Sequence, residues 1–403
     1  MLKKLRFTIP AALGIAAVAT QAFAVPCRNN TPSFEHWLEG VRQEAAAQGI
    51  SQSTVSAALG SMNFDQAIIN RDHGQGVFQQ SFLQFSDRMV SRDRLAQGPR
   101  LMQKYAGLFA RIEQQYGVPA PVLVAFWGLE SDFGSNNGKY PILRAVTTLA
   151  YDCRRPEFFR TQLFDALRII ERGDLRVSEM TGDWAGELGG MQMTPSDYYK
   201  YAVDFDGDGR RDLVHSIPDT MASAANFLVG LGWRRGEPWL QEVRVPGELP
   251  WEQADLSIKH PRAQWARWGL ALADGRPLPA DDLPASLLLP MGRFGPAFLA
   301  YPNFQAFLGW NSAFVYATTA AYLATRLAGA PPLHRGNGTV VALSGSQVLE
   351  LQQLLARRGY LSGKVDGKLG LTTRAAVRQA QLKLGIPADS YPTPELLNRL
   401  RGL

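Results

Sequence analysis

The sequence predicts a mainly α protein: a large helical domain with a small irregular or β insertion, then a small, separate three-helix module. Three observations carry this expectation. Apolar residues recur at helical spacing over 34–116, 118–133, 158–171, 221–231 and 314–327. The stretch 244–289 breaks that period with Pro, Trp and short apolar runs. Finally, Ala328-Gly329-Ala330-Pro331-Pro332 and the polar residues through Gly338 mark a linker before a compact tail. The expected division is a leader at 1–24, a large domain at 25–328, a linker at 329–342 and a module at 343–403.

A chain of 403 residues exceeds one ordinary core, and 46% hydrophobic with 19% charged residues exclude a disordered or fibrous protein. At the start, Lys3, Lys4 and Arg6 precede the apolar run Ile9 to Ala19, and Ala22-Phe23-Ala24 is an A-x-A-like cleavage site. This pattern reads as an export leader cut after Ala24, with an uncleaved N-terminal anchor as the alternative. Pro26 stands before Cys27 where a lipidation site would have a small residue, so no lipid anchor is expected and the mature chain is placed in the periplasm. The only cysteines, Cys27 and Cys153, are then expected to form one disulfide in an oxidising compartment. The leader holds three of the basic residues behind the net charge of +6, leaving +3, and no dense Lys/Arg stripe points to nucleic acid.

Helical stripes follow in order. Phe34, Trp37, Leu38 and Val41 form the first, and Phe78, Phe82, Phe85 and Met89 another; Asn29-Asn30-Thr31-Pro32 and Gln97-Gly98-Pro99 read as turns or helix starts between them. Pro119 and Pro121 suit the first turn of a helix that is almost wholly apolar until Glu130. Phe126, one turn back, and Phe133, nearly one turn on, are expected on the face of Glu130. Such a carboxyl is partly stripped of water, which raises its pKa and suits it to hold and donate a proton near neutral pH. The bland alternative is a Glu that closes the helix end or meets an arginine such as Arg144. Asp132 points away, so the two acids are not a pair on one face. Trp251, Trp265 and Trp268 are expected in a core rather than stacked on a ligand.

Asp204, Asp206, Asp208 and Asp212 occupy positions 1, 3, 5 and 9 of a calcium-type loop, with Gly at position 6 and with Arg210 and His215 at positions 7 and 12. His215 stands where a bidentate Glu would complete the cage, so the expected Ca²⁺ is structural and weakly held. An acidic turn held by side chain to backbone bonds is the alternative.

The strings Val118-Pro119-Ala120-Pro121-Val122-Leu123-Val124-Ala125 and Gly128-Leu129-Glu130-Ser131-Asp132-Phe133-Gly134, followed by Ala185-Gly186-Glu187-Leu188-Gly189-Gly190-Met191-Gln192-Met193-Thr194-Pro195-Ser196-Asp197-Tyr198, resemble the two signature blocks of the lytic murein transglycosylase B family. Tyr151-Asp152-Cys153-Arg154-Arg155, Trp310-Asn311 and Tyr316-Ala317 extend the resemblance over most of 30–328. It implies a lysozyme-like helical domain in which Glu130 cleaves peptidoglycan glycan strands between N-acetylmuramic acid (MurNAc) and N-acetylglucosamine (GlcNAc). Glu130 acts as acid and then base, leaves 1,6-anhydro ends and needs no catalytic cofactor. It also implies substrate contacts for Gln192, Asn311 and Tyr316, and lets Arg154 and Arg155 meet an anionic peptide stem or lactyl group. Asp183 stands where the family commonly has Ser, and Glu187 where some relatives have a small residue. Asp183 near Glu130 would raise a carboxyl pKa, and it also suits a two-carboxylate muramidase that uses water. An inactive wall-binding scaffold is the third reading.

In the tail, Leu351-Gln352, Leu354-Leu355, Gly359-Tyr360, Gly363, Asp366-Gly367, Gly370, Thr372-Thr373 and Ala375-Ala376 resemble the type-1 peptidoglycan-binding domain, with Thr372 suited to cap a helix. A monomer is expected, with peptidoglycan and wall-synthesis or secretion machinery as partners.

Overall fold

The computed structural model describes residues 27–74 and 80–402; the leader and Phe78 lie outside the described residues. The large domain opens with α1 (Phe34–Ala47), α2 (Gln52–Leu59), α3 (Gln66–His73), α4 (Phe82–Met89), α5 (Arg92–Lys104) and α6 (Ala106–Tyr116). It continues through α7 (Ala120–Ser131), α8 (Ile142–Tyr151), α9 (Pro156–Glu171), α10 (Pro195–Tyr201) and α11 (Ile217–Gly230). The short α12 (Arg262–Arg267) lies in the insertion, and α13 (Phe304–Trp310) and α14 (Phe314–Leu327) return to the helical body. Phe34, Trp37, Leu38 and Val41 bury one face of α1, and Ser33 caps it by accepting from the His36 N–H.

Helix α7 is apolar all round because it is enclosed all round. It packs against α5, α6, α11 and α14, and Val122 through Leu129 are all buried. Gln97-Gly98-Pro99 is not a turn, because α5 runs through it. Gly98 sits at a helix crossing where a Cβ would come within 2.5 Å of Leu327 Cδ2 and 3.5 Å of Val124 Cγ1. The glycine is there for close approach.

Two short strands, β1 (Tyr140–Pro141) and β2 (Thr181–Gly182), pair antiparallel beside α8. The insertion is an antiparallel sheet of β3 (Leu240–Arg244), β4 (His260–Pro261), β5 (Ala271–Leu272), β6 (Pro284–Leu288) and β7 (Ala297–Ala300), in the order β4-β6-β7-β3-β5. Leu287 lies opposite Leu299, and Leu240 opposite Ala300. Successive residues serve two cores: Leu288, Phe298 and Ala300 join the helical body, while Leu287, Ala297 and Leu299 close over Trp251 and Trp265. Trp268 packs against Trp265, so all three tryptophans lie in this second core as expected.

The tail forms α15 (Gly345–Arg357), α16 (Leu371–Lys383) and α17 (Pro394–Arg401) around Leu351, Leu355, Val377 and Leu400. Thr372 is not the cap of α16, because Gly370 occupies that position and Thr372 lies inside the first turn. The linker and module are packed against the large domain. Leu333 and Val340 pack on the helical core, Arg335 meets Asp87 at 2.9 Å and the Asn337 N–H reaches the Phe294 carbonyl at 2.9 Å. Buried Arg374 donates to the Leu289 and Pro290 carbonyls and lies 4.7 Å from the centre of the Phe314 ring. Asp389 accepts from the Arg293 N–H at 3.0 Å. Cys27 and Cys153 are disulfide-bonded with 5.2 Å between Cα atoms, which ties the N-terminus to the α8–α9 junction. Among the described residues, no helix is long and apolar enough to cross a membrane.

Arg374→Met removes a donor from two buried carbonyls and leaves that of Pro290 without one, a loss of about 1–3 kcal/mol, while Leu289 keeps the Gly292 N–H. A lower melting temperature and faster proteolysis within 329–342 are expected; a variant cut no faster than the parent shows that the module is held by other contacts.

Candidate active site

Glu130 occupies the last turn of α7, and the way that helix stops determines what reaches it. Asp132 (φ 47°) and Phe133 (φ 60°) take left-handed conformations, and the Phe133 N–H returns to the Trp127 carbonyl at 3.1 Å. Phe133 therefore does not share the face of Glu130. Its ring folds back over Gly128, where a Cβ would lie 2.9 Å away, and meets Trp127 edge-on. Arg94 clamps the same turn, donating from Nε to the Gly128 carbonyl and Asp132 Oδ1, both at 2.9 Å. Asp132 is thus turned away from Glu130.

The partners of Glu130 come from α13 and α14. Trp310 Nε1 donates to Glu130 Oε1 at 2.9 Å, and the Tyr316 hydroxyl donates to the same oxygen. No arginine takes that place among the described residues. Phe126 stacks on Trp310 with ring centres 4.2 Å apart, so the residue one turn back positions a donor. Burial is the main effect on Glu130 and pushes its pKa up to about 7; the bonds from Tyr316 and Trp310 oppose it, and the charge of Asp183 adds to it. As a whole residue Glu130 is nevertheless only half-buried, where residues 122–129 before it are all buried.

The loop 182–193 lies across the end of α7, held by Ser131 Oγ donating to the Gly190 carbonyl at 2.6 Å. Within it, Asp183 accepts from the Ala185 and Glu187 N–H groups at 2.8 and 2.9 Å, while burial raises its pKa. Glu187 is the acid that sequence reasoning underrated. Burial first, then the charges of Asp183, Glu130 and Asp197, push it up to about 8. Gln192 (φ 46°) donates to the Gly189 and Asn137 carbonyls at 2.7 and 3.3 Å, leaving Oε1 with no donor among the described residues. Asn311 ends α13 and accepts from the Ala313 N–H at 2.9 Å. Arg154 and Arg155 are engaged elsewhere. Both pair with Asp72, a residue 1% exposed, at 2.7 and 2.6 Å, beside Asp152 and the disulfide.

In the acidic loop the converging carboxylates are Asp204, Asp206 and Asp219, with oxygens within 4.8 Å of one another. Asp208 and Asp212 are not in this group. The His215 ring turns to Asp212 at 3.0 Å and the Arg210 guanidinium to the Asp174 carbonyl and Glu179, so neither side chain is a ligand and Arg210 offers only its main-chain oxygen. Asp219 was hidden by its neighbours. Ser216 accepts from its N–H as a helix cap, and Ser-x-x-Asp reads as a helix start rather than a ligand. Asp219 is fully buried with a raised pKa, and three hard oxygens crowded together fit a divalent cation such as Ca²⁺.

A family model described as a transglycosylase SLT domain matches residues 33–325, and one described as a putative peptidoglycan binding domain matches residues 344–400. Over 238 residues the chain is 29% identical to the membrane-bound lytic murein transglycosylase B of Escherichia coli (strain K12). That match covers 59% of this chain and 64% of the relative, a little under two thirds of its length. SltB3 from Pseudomonas aeruginosa, solved in complex with NAG-anhNAM-pentapeptide and with NAG-NAM-pentapeptide, is similar with a TM-score of 0.85 and 41% identity, covering 92% of this chain and 100% of that one. The Escherichia coli lytic transglycosylase Slt35 in complex with calcium is similar at a TM-score of 0.62 and 26% identity, covering 74% and 93%. The mainly α, lysozyme-like expectation holds.

A hydrogen bond to an ionised carboxylate favours the ionised form, so Tyr316→Phe is expected to move the Glu130 pKa above its value of about 7. Titration of the carboxyl carbon by NMR reads this directly; a pKa that stays or falls removes Tyr316 as a donor to the charged form.

Proposed function

The chain belongs to the transglycosylase SLT domain family, and from that premise we propose that it cleaves the MurNAc–GlcNAc β-1,4 bond of peptidoglycan by lytic transglycosylation. The observation that carries the reading is the carboxyl of half-buried Glu130, poised near neutrality, with two donors fixed on one of its oxygens. Protonated Glu130 gives its proton to the glycosidic oxygen as the bond from that oxygen to muramoyl C1 breaks. The muramoyl C6 hydroxyl oxygen then bonds to C1, and Glu130, now a carboxylate, takes the hydroxyl proton. The products are a GlcNAc end with a free 4-hydroxyl and a 1,6-anhydro-MurNAc end; the carboxyl is regenerated and no water is consumed. Between the steps, Tyr316 and Trp310 hold the carboxylate in position and stabilise its charge.

One acid rather than two is supported by the state of its neighbours. Glu187, pushed up to about 8, is held away from its base form near neutrality, and Asp183 spends Oδ1 on two main-chain N–H groups that fix it within its own loop, which supports Glu130 as the working acid. Gln192 Oε1 and Asn311 are the polar groups of the site assigned to the sugars. SltB3 bound to NAG-anhNAM-pentapeptide and NAG-NAM-pentapeptide supports peptidoglycan as the substrate, as does the C-terminal module. The leader pattern and the disulfide support a periplasmic location, and with its thiol in that bond Cys27 offers no lipid anchor.

We also propose that Ca²⁺ sits among Asp204, Asp206 and Asp219 as a structural ion; Slt35 in complex with calcium supports this. It would neutralise a buried acid and brace the start of α11, with no part in the chemistry.

Glu130→Gln keeps the shape without the proton. At least a 100-fold loss of wall cleavage is expected, the order of one general acid–base group. Mass spectrometry of wild-type digests should show anhydro ends, with cleavage falling as pH rises through about 7 because the acid form is lost. Undiminished cleavage by the variant rejects the mechanism, and reducing ends heavier by one water favour the muramidase. For the ion, Ca²⁺ at about 100 times its Kd adds roughly 2.7 kcal/mol to folding, so the wild-type melting temperature should rise with Ca²⁺ and that of Asp219→Asn should not. No rise in the wild type dismisses the site.

A further inference from the structure

Arg154 and Arg155, the cations first assigned to the anionic peptide stem, share one carboxylate, that of Asp72. Another basic surface faces the catalytic edge. A cavity of about 560 Å³ opens between the large domain and the module, with Asn311 and Tyr316 on one wall and Lys364, Lys368, Gly370 and Thr373 on the other. Tyr316 donates to Glu130, so the cavity begins at a residue touching the reacting carboxyl.

The chemistry of the far wall suits an anion. Both lysine side chains are exposed, and among the described residues neither ammonium has an acidic partner. Asp366, the acid on that wall, accepts from Gln352 Nε2 at 3.2 Å and the Lys368 N–H at 2.9 Å and is outnumbered by the two lysines. Gln352 is fully buried and also bonds the Lys368 carbonyl and the Asp366 and Gly367 N–H groups, so the loop carrying Lys368 is held in place before any ligand arrives. The first turn of α16, capped by Gly370 and free of acids, opens on the same cavity and adds the positive end of a helix. Charge along the chain is divided in the same sense. Residues 343–403 hold nine Lys and Arg against four Asp and Glu, a net of +5, although the whole chain is only +6 and its leader carries three of the basic residues. Arg374, Asp389 and the strap through Leu333 and Val340 pack the module against the body, which places these lysines on the wall opposite Asn311 and Tyr316.

We propose that this inter-domain cavity binds the carboxylates of the peptide stem on the muramoyl unit, with Lys364 and Lys368 as its cationic wall. The proposal rests on the transglycosylase reading above and adds a selection to it: strands whose stems carry free carboxylates are preferred over strands whose stems do not. The lysines lie on the module and away from the bond that breaks. Their contribution is the same in the ground and transition states and falls on KM rather than kcat.

The test uses soluble stem-bearing glycan strands, either native or with stem carboxylates converted to primary amides, and the full-length wild type beside K364Q/K368Q. Two exposed ion pairs are expected to lower the wild-type KM for native strands about three- to tenfold relative to amidated strands, with kcat unchanged and the difference shrinking in salt. The double variant should process both strands with the wild-type KM for the amidated one. A wild type that treats the two strands alike overturns the proposal, as does a variant that still favours native strands or one equally impaired on amidated strands. If the wild type yields no anhydro ends from either strand, the transglycosylase reading itself falls, an outcome distinct from the loss of discrimination.

Discussion

Desolvation of the Glu130 carboxyl depends on α7 being buried on every side, and the rest of the architecture provides that enclosure. A helix whose residues 122–129 are all buried brings its last turn to a boundary rather than to open solvent. The acid there loses enough water to hold a proton near neutrality, although the residue as a whole is only half-buried. Left-handed residues at 132 and 133, clamped by Arg94, stop the helix before Glu130 would be covered. Trp310 and Tyr316 set the opposite limit, since two donors on one oxygen keep the charged form attainable once the proton has gone.

Helix α14 links this carboxyl to the remainder of the molecule. Tyr316 reaches Glu130 from its first turn, Phe314 lies under the Arg374 guanidinium, and Leu327 at its far end closes on Gly98 of α5. Docking of the module and enclosure of the acid therefore share one rigid element. The sheet has a related duty. Its alternating residues fill the helical core on one side and its own tryptophan core on the other, so the insertion is fused to the body and its Leu289 and Pro290 carbonyls make a fixed seat for Arg374.

Much of this was legible from local pattern. The α1 stripe, the apolar α7 with Pro119 and Pro121 at its start, the pairing of Cys27 with Cys153 and the core role of Trp251 and Trp265 all appear where sequence reasoning put them. The misses share one cause. Gly98-Pro99 looks like a turn because nothing nearby in sequence announces Leu327 on the other side of it, and Phe133 looks like a face-mate of Glu130 because helical spacing was extended past a left-handed stop. Nothing near Arg154 and Arg155 in sequence announces that they share the carboxylate of Asp72, some eighty residues earlier. Asp219 lies beyond the twelve-residue frame of a calcium loop and carries the signature of a helix cap.

By itself, the sequence determined which segments are helical, which acid sits on an apolar helix and which two cysteines must meet. These follow from periodicity, composition and counting, and each is a property of neighbours along the chain. Only the tertiary structure decided which groups face that acid, which charges are paired and where the module packs. Such facts depend on contacts between residues far apart in the chain, where burial and Coulomb interactions act through space and leave no local trace.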